Sequence, residues 1–266
     1  MDLELTNKVA VVTGGSRGIG KAIAASLARE GADVALVARS KETNAAAAGE
    51  LARQSGRRVV AFEADTGDDA AVRSMVASVI AEFGRIDILV NCAAQPGGQS
   101  KPPALAQITN DDFWADMNVK VLGYLRTARE VAPHMQRQGW GRIINLSGLA
   151  ARTTGTIIGS IRNVGVAALT KNLAEELGPS GINVTCVHPG LTRTEKTPGV
   201  IAARAKAQGI APEEVEKQMA AGNTVRKLIS AEEVANVVTF LASPKSLAIN
   251  GDVIAAGGGA KGSIHY

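Results

Sequence analysis

The stretch TGGSRGIG, residues 13–20, decides the fold of this 266-residue chain. It directly follows a β-branched run from Val9 to Thr13, and it opens an Ala-rich helical pattern that begins at Gly18. Glycines at such a turn let the backbone approach a pyrophosphate closely, and the free N–H groups of the following helix favour its negative charge. The stretch therefore predicts the first strand–turn–helix unit of a dinucleotide-binding domain.

Strand patterns and longer helical patterns alternate along the rest of the chain, which is typical of βαβ units and a parallel sheet. Right-handed crossovers then place helices on both faces of a seven-stranded sheet, so we expect one α/β domain over residues 1–266. The predicted strands are Val9 to Thr13, Val34 to Val37, Val59 to Glu63, Ile86 to Asn91, Arg142 to Leu146, Ile182 to Val187 and Asp252 to Ala255. The predicted helices are Gly18 to Glu30, Glu42 to Gln54, Asp68 to Phe83, Asp111 to Gln138, Gly159 to Leu177 and Ala231 to Leu241.

One segment, residues 192–225, does not fit this alternation. It lies between the sixth strand and the last helix and mixes proline, glycine, charged residues and short helical patterns. Because it is longer than an ordinary connection, we interpret it as an insertion that forms a substrate lid.

The composition excludes several classes of protein. The net charge is only +4, the basic residues are dispersed and 3% of residues are aromatic, so we expect no nucleic-acid partner. Cys92 and Cys186 lie far apart, and with three scattered histidines they predict neither a disulfide framework nor a metal site. The acidic start is wrong for a signal peptide and no apolar run reaches the roughly 20 residues of a membrane span, so we expect a cytoplasmic protein without a membrane partner.

The end of the second strand indicates which nucleotide is bound. NAD sites usually place an acidic residue there, which holds the 2′-hydroxyl of the ribose. Here the strand ends VARSK, residues 37–41, without a carboxylate. Arg17 and Arg39 are instead available to bracket a 2′-phosphate through charge-assisted hydrogen bonds, although they also suit a solvated surface. The sequence therefore favours NADP(H) as the cofactor.

Together these motifs resemble the short-chain dehydrogenase/reductase family over nearly the full length. The resemblance also rests on NCAA at residues 91–94, Asn118 in the long helix, and Gly257-Gly258 near the end. It implies a three-layer Rossmann fold with a doubly wound sheet, a nicotinamide cofactor, an adenine contact after strand three and, in most members, a tetramer. The expected cofactor residues are Gly14, Ser16, Arg17, Gly18, Ile19, Gly20, Arg39, Asp65, Thr66, Asn91, Ala93, Asn163, Pro189, Gly190 and Thr194.

The chain departs from the family at the catalytic residues. The family uses an asparagine, a serine after strand five, and a tyrosine and lysine four residues apart on the next helix. Asn118 matches the asparagine, but counting back without gaps from the Pro-Gly motif after strand six puts Gly159 at the tyrosine position and Asn163 at the lysine position. The family's second, catalytic serine falls on Gly148, and Ser147 matches the first.

Neither tyrosine of the chain replaces the missing phenol. Tyr124 lies six residues after Asn118, on the opposite side of a helix, and is predicted to pack or to form an interface; Tyr266 is the last residue. Ser147 and His188 remain weaker catalytic candidates beside Asn118.

Three charged residues are further candidates for the altered site. Arg162 is one turn beyond Gly159 and supplies charge, but its high pKa makes it a poor proton donor. Glu195 and Lys196 lie at the base of the lid segment, where they either enter the site on closure or remain solvated.

Three functions remain open at this point. The favoured one is an NADP(H)-dependent oxidoreductase with an altered active site, acting on an unknown small molecule. The alternatives are an inactive nucleotide-binding subunit that pairs with an active paralogue, and a redox-neutral enzyme on the same scaffold. We expect a homotetramer or homodimer, with an interface on the long helix from Asp111 and on the helix from Gly159, where Val164, Gly165, Ala167 and Ala168 permit close approach.

Overall fold

The computed structural model describes residues 1–94 and 102–261 and contains nine strands within them. Tyr266 lies outside the described residues. The strands are β1 (Val9–Thr13), β2 (Asp33–Ala38), β3 (Val59–Glu63), β4 (Ile88–Asn91), β5 (Gly141–Leu146), β6 (Ile182–Pro189), β7 (Thr192–Arg193), β8 (Ile229–Ser230) and β9 (Val253–Ala256).

The helices follow the strands closely in sequence, as expected for βαβ units. They are α1 (Gly18–Arg29), α2 (Lys41–Ser55), α3 (Asp69–Phe83), α4 (Asn110–Met117), α5 (Gly123–Gln138), α6 (Ile157–Leu177), α7 (Thr197–Gln208), α8 (Pro212–Ala220) and α9 (Ala231–Leu241). Short 3₁₀ turns and one π-helical turn complete the chain.

Seven strands form one sheet in the order β3-β2-β1-β4-β5-β6-β9, and every pair in it is parallel. This confirms the predicted doubly wound seven-stranded α/β sheet. After β3 the chain returns to the centre of the sheet and places β4 beside β1. Ligands of open α/β sheets bind at the carboxyl ends of strands beside such a reversal, so this topology directs attention to the ends of β1 and β4.

The apolar residues divide into two cores, one on each face of the sheet. One core joins the sheet to α1, α2 and α9, and the other joins it to α3, α5 and α6. The central strands are buried along their whole length, with patterns such as VAVVT in β1 and ILVN in β4. A strand that is covered on both faces needs apolar residues at every position, which explains why the sequence shows runs rather than alternation.

The structure corrects one predicted helix. The sequence suggested a continuous helix from Asp111 to Gln138, but α4 and α5 are separated by a π-helical turn, Asn118–Leu122. Such a turn adds a residue, which rotates the side chains beyond it by about 100° relative to an unbroken α-helix. The rotation decides which side chains of this segment face the sheet.

The segment from residue 192 to 225 holds β7, α7 and α8. Its two ends are joined, because β7 pairs in parallel with β8, which lies just after the segment. Arg193 of β7 also forms an ion pair with Glu216 of α8. Its role as a lid stays a prediction. Within the described residues, no helix is long and apolar enough to cross a bilayer.

Candidate active site

A cleft of about 680 Å³ opens at the carboxyl ends of the central strands. One wall is the Gly-rich turn after β1, and the opposite wall comes from the segment 192–225, through residues such as Val200, Arg204 and Met219. The predicted cofactor residues that line it are Gly14, Ser16, Arg17, Gly18, Ile19, Gly20, Arg39, Asp65, Thr66, Ala93, Gly190 and Thr194.

Two glycines of the Gly-rich turn, Gly14 and Gly20, are packed so closely that a side chain at either position would not fit. Gly14 has φ +65°, and a Cβ there would lie 2.9 Å from the backbone of Ala93. A Cβ on Gly20 would lie 2.3 Å from the carbonyl oxygen of Gly14. The ends of β1 and β4 are held together by Thr13, whose hydroxyl accepts hydrogen bonds from the N–H groups of Cys92 and Ala93 at 3.1 and 3.2 Å. These contacts fix a backbone cradle in front of the N-terminus of α1.

Positive charge surrounds the cradle. Arg17, Arg39, Lys196 and Arg204 all line the cleft. The guanidinium of Arg39 lies 3.9 Å from the carboxylate of Asp65, and both side chains are about half exposed. The pair is therefore open to solvent at the end of β2, where it can rearrange around a bound anion.

A residue of the segment 192–225 occupies the N-terminus of α1. The Oε2 atom of Glu195 accepts a hydrogen bond from the backbone N–H of Gly18 at 3.1 Å. Free N–H groups at a helix N-terminus are the usual partners of a pyrophosphate. The Glu195 carboxylate therefore stands where a phosphate of the cofactor is expected.

Three of the expected cofactor residues do not line the cleft. The carboxamide of Asn91 is buried between Asn145, which accepts from it at 2.9 Å, and Thr127, whose hydroxyl donates to it at 2.7 Å. It therefore ties β4 to β5 and α5. Pro189 ends β6, and Asn163 lies buried on α6.

Below the cleft, β5 ends in a corner that contains Ser147, Gly148, Gly159 and Asn163, the positions that the resemblance predicts to be catalytic. The hydroxyl of Ser147 donates to the carbonyl oxygen of Asn163 at 2.9 Å, so it is engaged by the backbone of α6. His188 is buried, and its Nδ1 accepts from the backbone N–H of Gly148 at 3.3 Å. A Cβ on Gly148 would lie 3.0 Å from Nδ2 of Asn163, whereas a Cβ on Gly159 would lie 2.7 Å from Thr156.

Lys120, which sequence reasoning did not single out, enters this corner from the π-helical turn. It is 5% exposed, and its Nζ donates to the carbonyl oxygen of Ser147 at 2.9 Å and to Oδ1 of Asn163 at 3.1 Å. Burial, together with the nearby charge of Arg162, lowers the pKa of Lys120 from 10.5 to about 7.

The structure does not bring Asn118 to this corner. Its Nδ2 donates instead to the carbonyl oxygen of Gly67, in the loop after β3, at 3.2 Å. Tyr124 is fully buried and its hydroxyl donates to the carbonyl oxygen of Leu146 at 2.9 Å, while burial raises its pKa well above the usual value. Arg162 is held by the carboxylate of Asp116 at 2.7 and 2.8 Å. None of these three side chains offers a proton to the cleft.

A family model described as enoyl-(acyl carrier protein) reductase matches residues 14–261. The short-chain reductase protein NovJ of Streptomyces niveus is 35% identical over 252 residues, which cover 94% of this chain and 93% of that protein. A probable galactose dehydrogenase of Rhizobium meliloti is 31% identical and covers 96% of each chain.

The chain belongs to the short-chain dehydrogenase/reductase family. Solved structures agree with this assignment. L-sorbose reductase from Gluconobacter frateurii, complexed with NADPH and L-sorbose, has a TM-score of 0.92 at 30% identity and covers 99% of this chain and 100% of its own. YwfH, an NADPH-dependent reductase involved in bacilysin biosynthesis, has a TM-score of 0.86 at 27% identity and covers 97% and 99%. The cleft of this short-chain dehydrogenase/reductase lies beside the Gly-rich turn, where the sequence predicts a bound dinucleotide.

Proposed function

We propose that this chain is an NADP(H)-dependent oxidoreductase that reduces an activated acceptor in an active site altered from that of its family. The observation that carries the proposal is a contrast between two neighbouring regions. The cofactor cleft contains the closely packed glycines Gly14 and Gly20, and cationic side chains line it. The corner next to it has glycine at the two positions where the resemblance expects a serine hydroxyl and a phenol.

The residues of the cleft fit NADP(H). Gly14 and Gly20 leave no room for side chains, so the backbone is free to approach a pyrophosphate, and Arg17 and Arg39 supply charge for a 2′-phosphate. L-sorbose reductase, whose structure contains NADPH, and the NADPH-dependent reductase YwfH support this choice. Bound NADP(H) supplies or accepts a hydride. Gly190, directly after β6, and Thr194, directly after β7, line the cleft and would hold the cofactor against the substrate.

The chemistry that the corner supports is limited by its donors. A ketone oxygen gains a full negative charge as hydride arrives, and a positioned acid typically contributes 10²–10⁴-fold to such a step. Gly148 and Gly159 provide no such acid. An acceptor that delocalises the charge, such as a conjugated carbonyl, or one that is already cationic, such as an iminium ion, needs no proton on oxygen during the transfer. We therefore assign activated acceptors as the substrate class.

The segment 192–225 is proposed to cover the substrate. Its helices form one wall of the cleft, and Glu195 at its base contacts the Gly-rich turn. Closing such a wall over bound reactants excludes water and holds them in reactive geometry.

The proposal is tested by comparing two acceptors that differ only in conjugation. Purified protein is given NADPH and either a conjugated carbonyl or its saturated counterpart, and cofactor oxidation is followed by absorbance. We expect oxidation with the conjugated member and little or none with the saturated one. Binding of NADPH without oxidation by any acceptor would indicate the inactive-subunit alternative. Conversion of a substrate with no net change in NADPH would indicate a redox-neutral enzyme.

A further inference from the structure

The wall of the cleft that faces the Gly-rich turn has a cation of its own. Helix α7 turns one face to the cleft, because Thr197, Val200 and Arg204, at spacings of three and four residues, all line it. The neighbouring face of α7, with Ile201 and Ala205, is buried in a small apolar cluster shared with α8. This packing fixes the rotation of α7 and keeps Arg204 at the cleft.

The guanidinium of Arg204 has no counter-charge. It is half-buried, and within the part of the chain that the structure describes it forms no ion pair and no hydrogen bond. Two acidic residues of the same segment, Glu195 and Glu216, are held elsewhere, by a backbone N–H of the Gly-rich turn and by an arginine of β7. The ranges 95–101 and 262–266, which the structure does not describe, contain no aspartate or glutamate. Arg204 is therefore available to an anionic group that enters the cleft.

The phosphates of NADP(H) are accounted for on the other wall. The N–H groups at the N-terminus of α1 suit the pyrophosphate, and Arg17 and Arg39 suit the 2′-phosphate. Lys196 directly follows Glu195, which contacts that N-terminus, so its charge also belongs to this end of the cleft. Arg204 lies two helical turns, about 10 Å, beyond the start of α7. Its charge is therefore left for the second molecule in the cleft, the substrate.

We propose that Arg204 recognises a carboxylate on the substrate, so that this protein acts on acidic acceptors rather than on their neutral counterparts. A planar guanidinium donates two parallel hydrogen bonds to a carboxylate. One such cation matches the single charge of a carboxylate, and Val200 and Met219 on the same wall suit an apolar body. The inference rests on the proposed function, because it names the substrate class of that same cleft.

The first arm of the test measures binding without turnover. The probes are β-benzoylpropionate and its methyl ester, which share an apolar body and a ketone and differ in the carboxylate. The protein is saturated with NADP⁺, which has no hydride to give. We expect the acid to bind about tenfold or more tightly than the ester, as for a hydrogen bond between charged groups. An equal or weaker affinity for the acid, or no binding of it, would overturn the proposal.

Two substitutions assign this preference to Arg204. Arg204→Gln keeps a polar side chain but loses the charge, so the acid should bind no better than the ester, while Kd for NADP⁺ changes less than about twofold. Arg204→Lys keeps the charge without the planar fork and should retain part of the preference. A Kd for NADP⁺ that rises as much as that of the acid in Arg204→Gln would mean that Arg204 serves the cofactor, and would refute the inference.

Lys206→Gln is the matched control. Lys206 is an exposed cation of the same helix that does not line the cleft, so its removal changes the net charge equally. The variant should keep the full preference for the acid. Loss of the preference in this variant as well would mean a general electrostatic attraction instead of a contact with Arg204.

The second arm measures turnover with NADPH and the conjugated counterparts, β-benzoylacrylate and its methyl ester. Arg204→Gln should raise KM for the acid about tenfold and leave kcat nearly unchanged, because the contact acts in binding and not in hydride transfer. Oxidation of NADPH by the ester but not by the acid would refute this inference and leave the proposed function standing. Oxidation by neither would contradict the proposed function, whereas the binding result decides this inference by itself.

Discussion

Replacing Lys120 by methionine should change how the stability of the protein depends on pH. In the unfolded chain the Lys120 amine has its ordinary pKa of 10.5, and in the folded protein burial lowers that pKa to about 7. Below pH 7 both states are protonated, so folding bears the full cost of burying the charge. Between these pKa values the unfolded state holds a proton that the folded state lacks, and stability therefore rises with pH.

The size of the effect follows from the two pKa values. Linkage with 10.5 and about 7 gives a gain of about 2 kcal/mol in the free energy of unfolding between pH 7 and pH 9. Lys120→Met lacks this gain. The variant also leaves the carbonyl oxygen of Ser147 and Oδ1 of Asn163 without their ammonium donor, at ~1–3 kcal/mol each, but that loss does not vary with pH.

Urea unfolding at pH 7, 8 and 9 measures the effect. The difference in unfolding free energy between the unmodified protein and Lys120→Met should grow by about 2 kcal/mol in favour of the unmodified protein across this range. The exposed control Lys171→Met should run parallel to the unmodified protein. Parallel curves for Lys120→Met as well would refute the argument, because they would mean that Lys120 keeps an ordinary pKa in the folded state.

Three further predictions concern the cofactor cleft and assembly. Arg39→Ala should weaken NADPH binding by ~1.5–3 kcal/mol and NADH binding far less, measured by fluorescence titration; equal affinities of the unmodified protein for both cofactors would contradict this. Glu195→Gln should lower Kd for NADPH, because the carboxylate that competes with a phosphate at the N–H of Gly18 loses its charge; an unchanged or higher Kd would count against it. Ile161 and Val164 are about half exposed on one face of α6, so Val164→Arg should lower the oligomer mass found by light scattering, whereas an unmodified protein that is already a monomer would disprove the expected interface.

The fold was predictable because its determinants are local. Close approach of the turn backbone to a pyrophosphate requires glycines, and parallel strands that are buried on both faces require continuous apolar runs. Both requirements can therefore be recognised directly in the sequence. Twelve of the fifteen residues expected to bind the cofactor line the cleft. The resemblance also placed Asn91 along the cofactor, whereas its carboxamide is used between β4, β5 and α5. Residue type alone does not tell whether a polar group at a strand end faces the ligand or the core.

The corner beside the cleft was not predictable from the sequence. The π-helical turn at Asn118–Leu122 sets which side chain of the long helix points inward, and no composition cue marks it. It turns Asn118 toward Gly67 and brings Lys120 to Asn163, two residues that are 43 positions apart in the chain. The sequence also does not reveal the packing at Gly159, where a Cβ would lie 2.7 Å from the side chain of Thr156. A tyrosine at position 159 would therefore require that threonine to move.

Isotope transfer tests the central claim most directly. The protein is incubated with NADPH deuterated at the hydride-donating carbon and with an α,β-unsaturated ketone, and the product is examined by mass spectrometry and NMR. The account predicts one deuterium on the β-carbon and an intact carbonyl, since Gly148 and Gly159 supply no acid that would protonate a carbonyl oxygen. Deuterium on the carbonyl carbon of an alcohol product, or no transfer by a protein that binds NADPH, would contradict it.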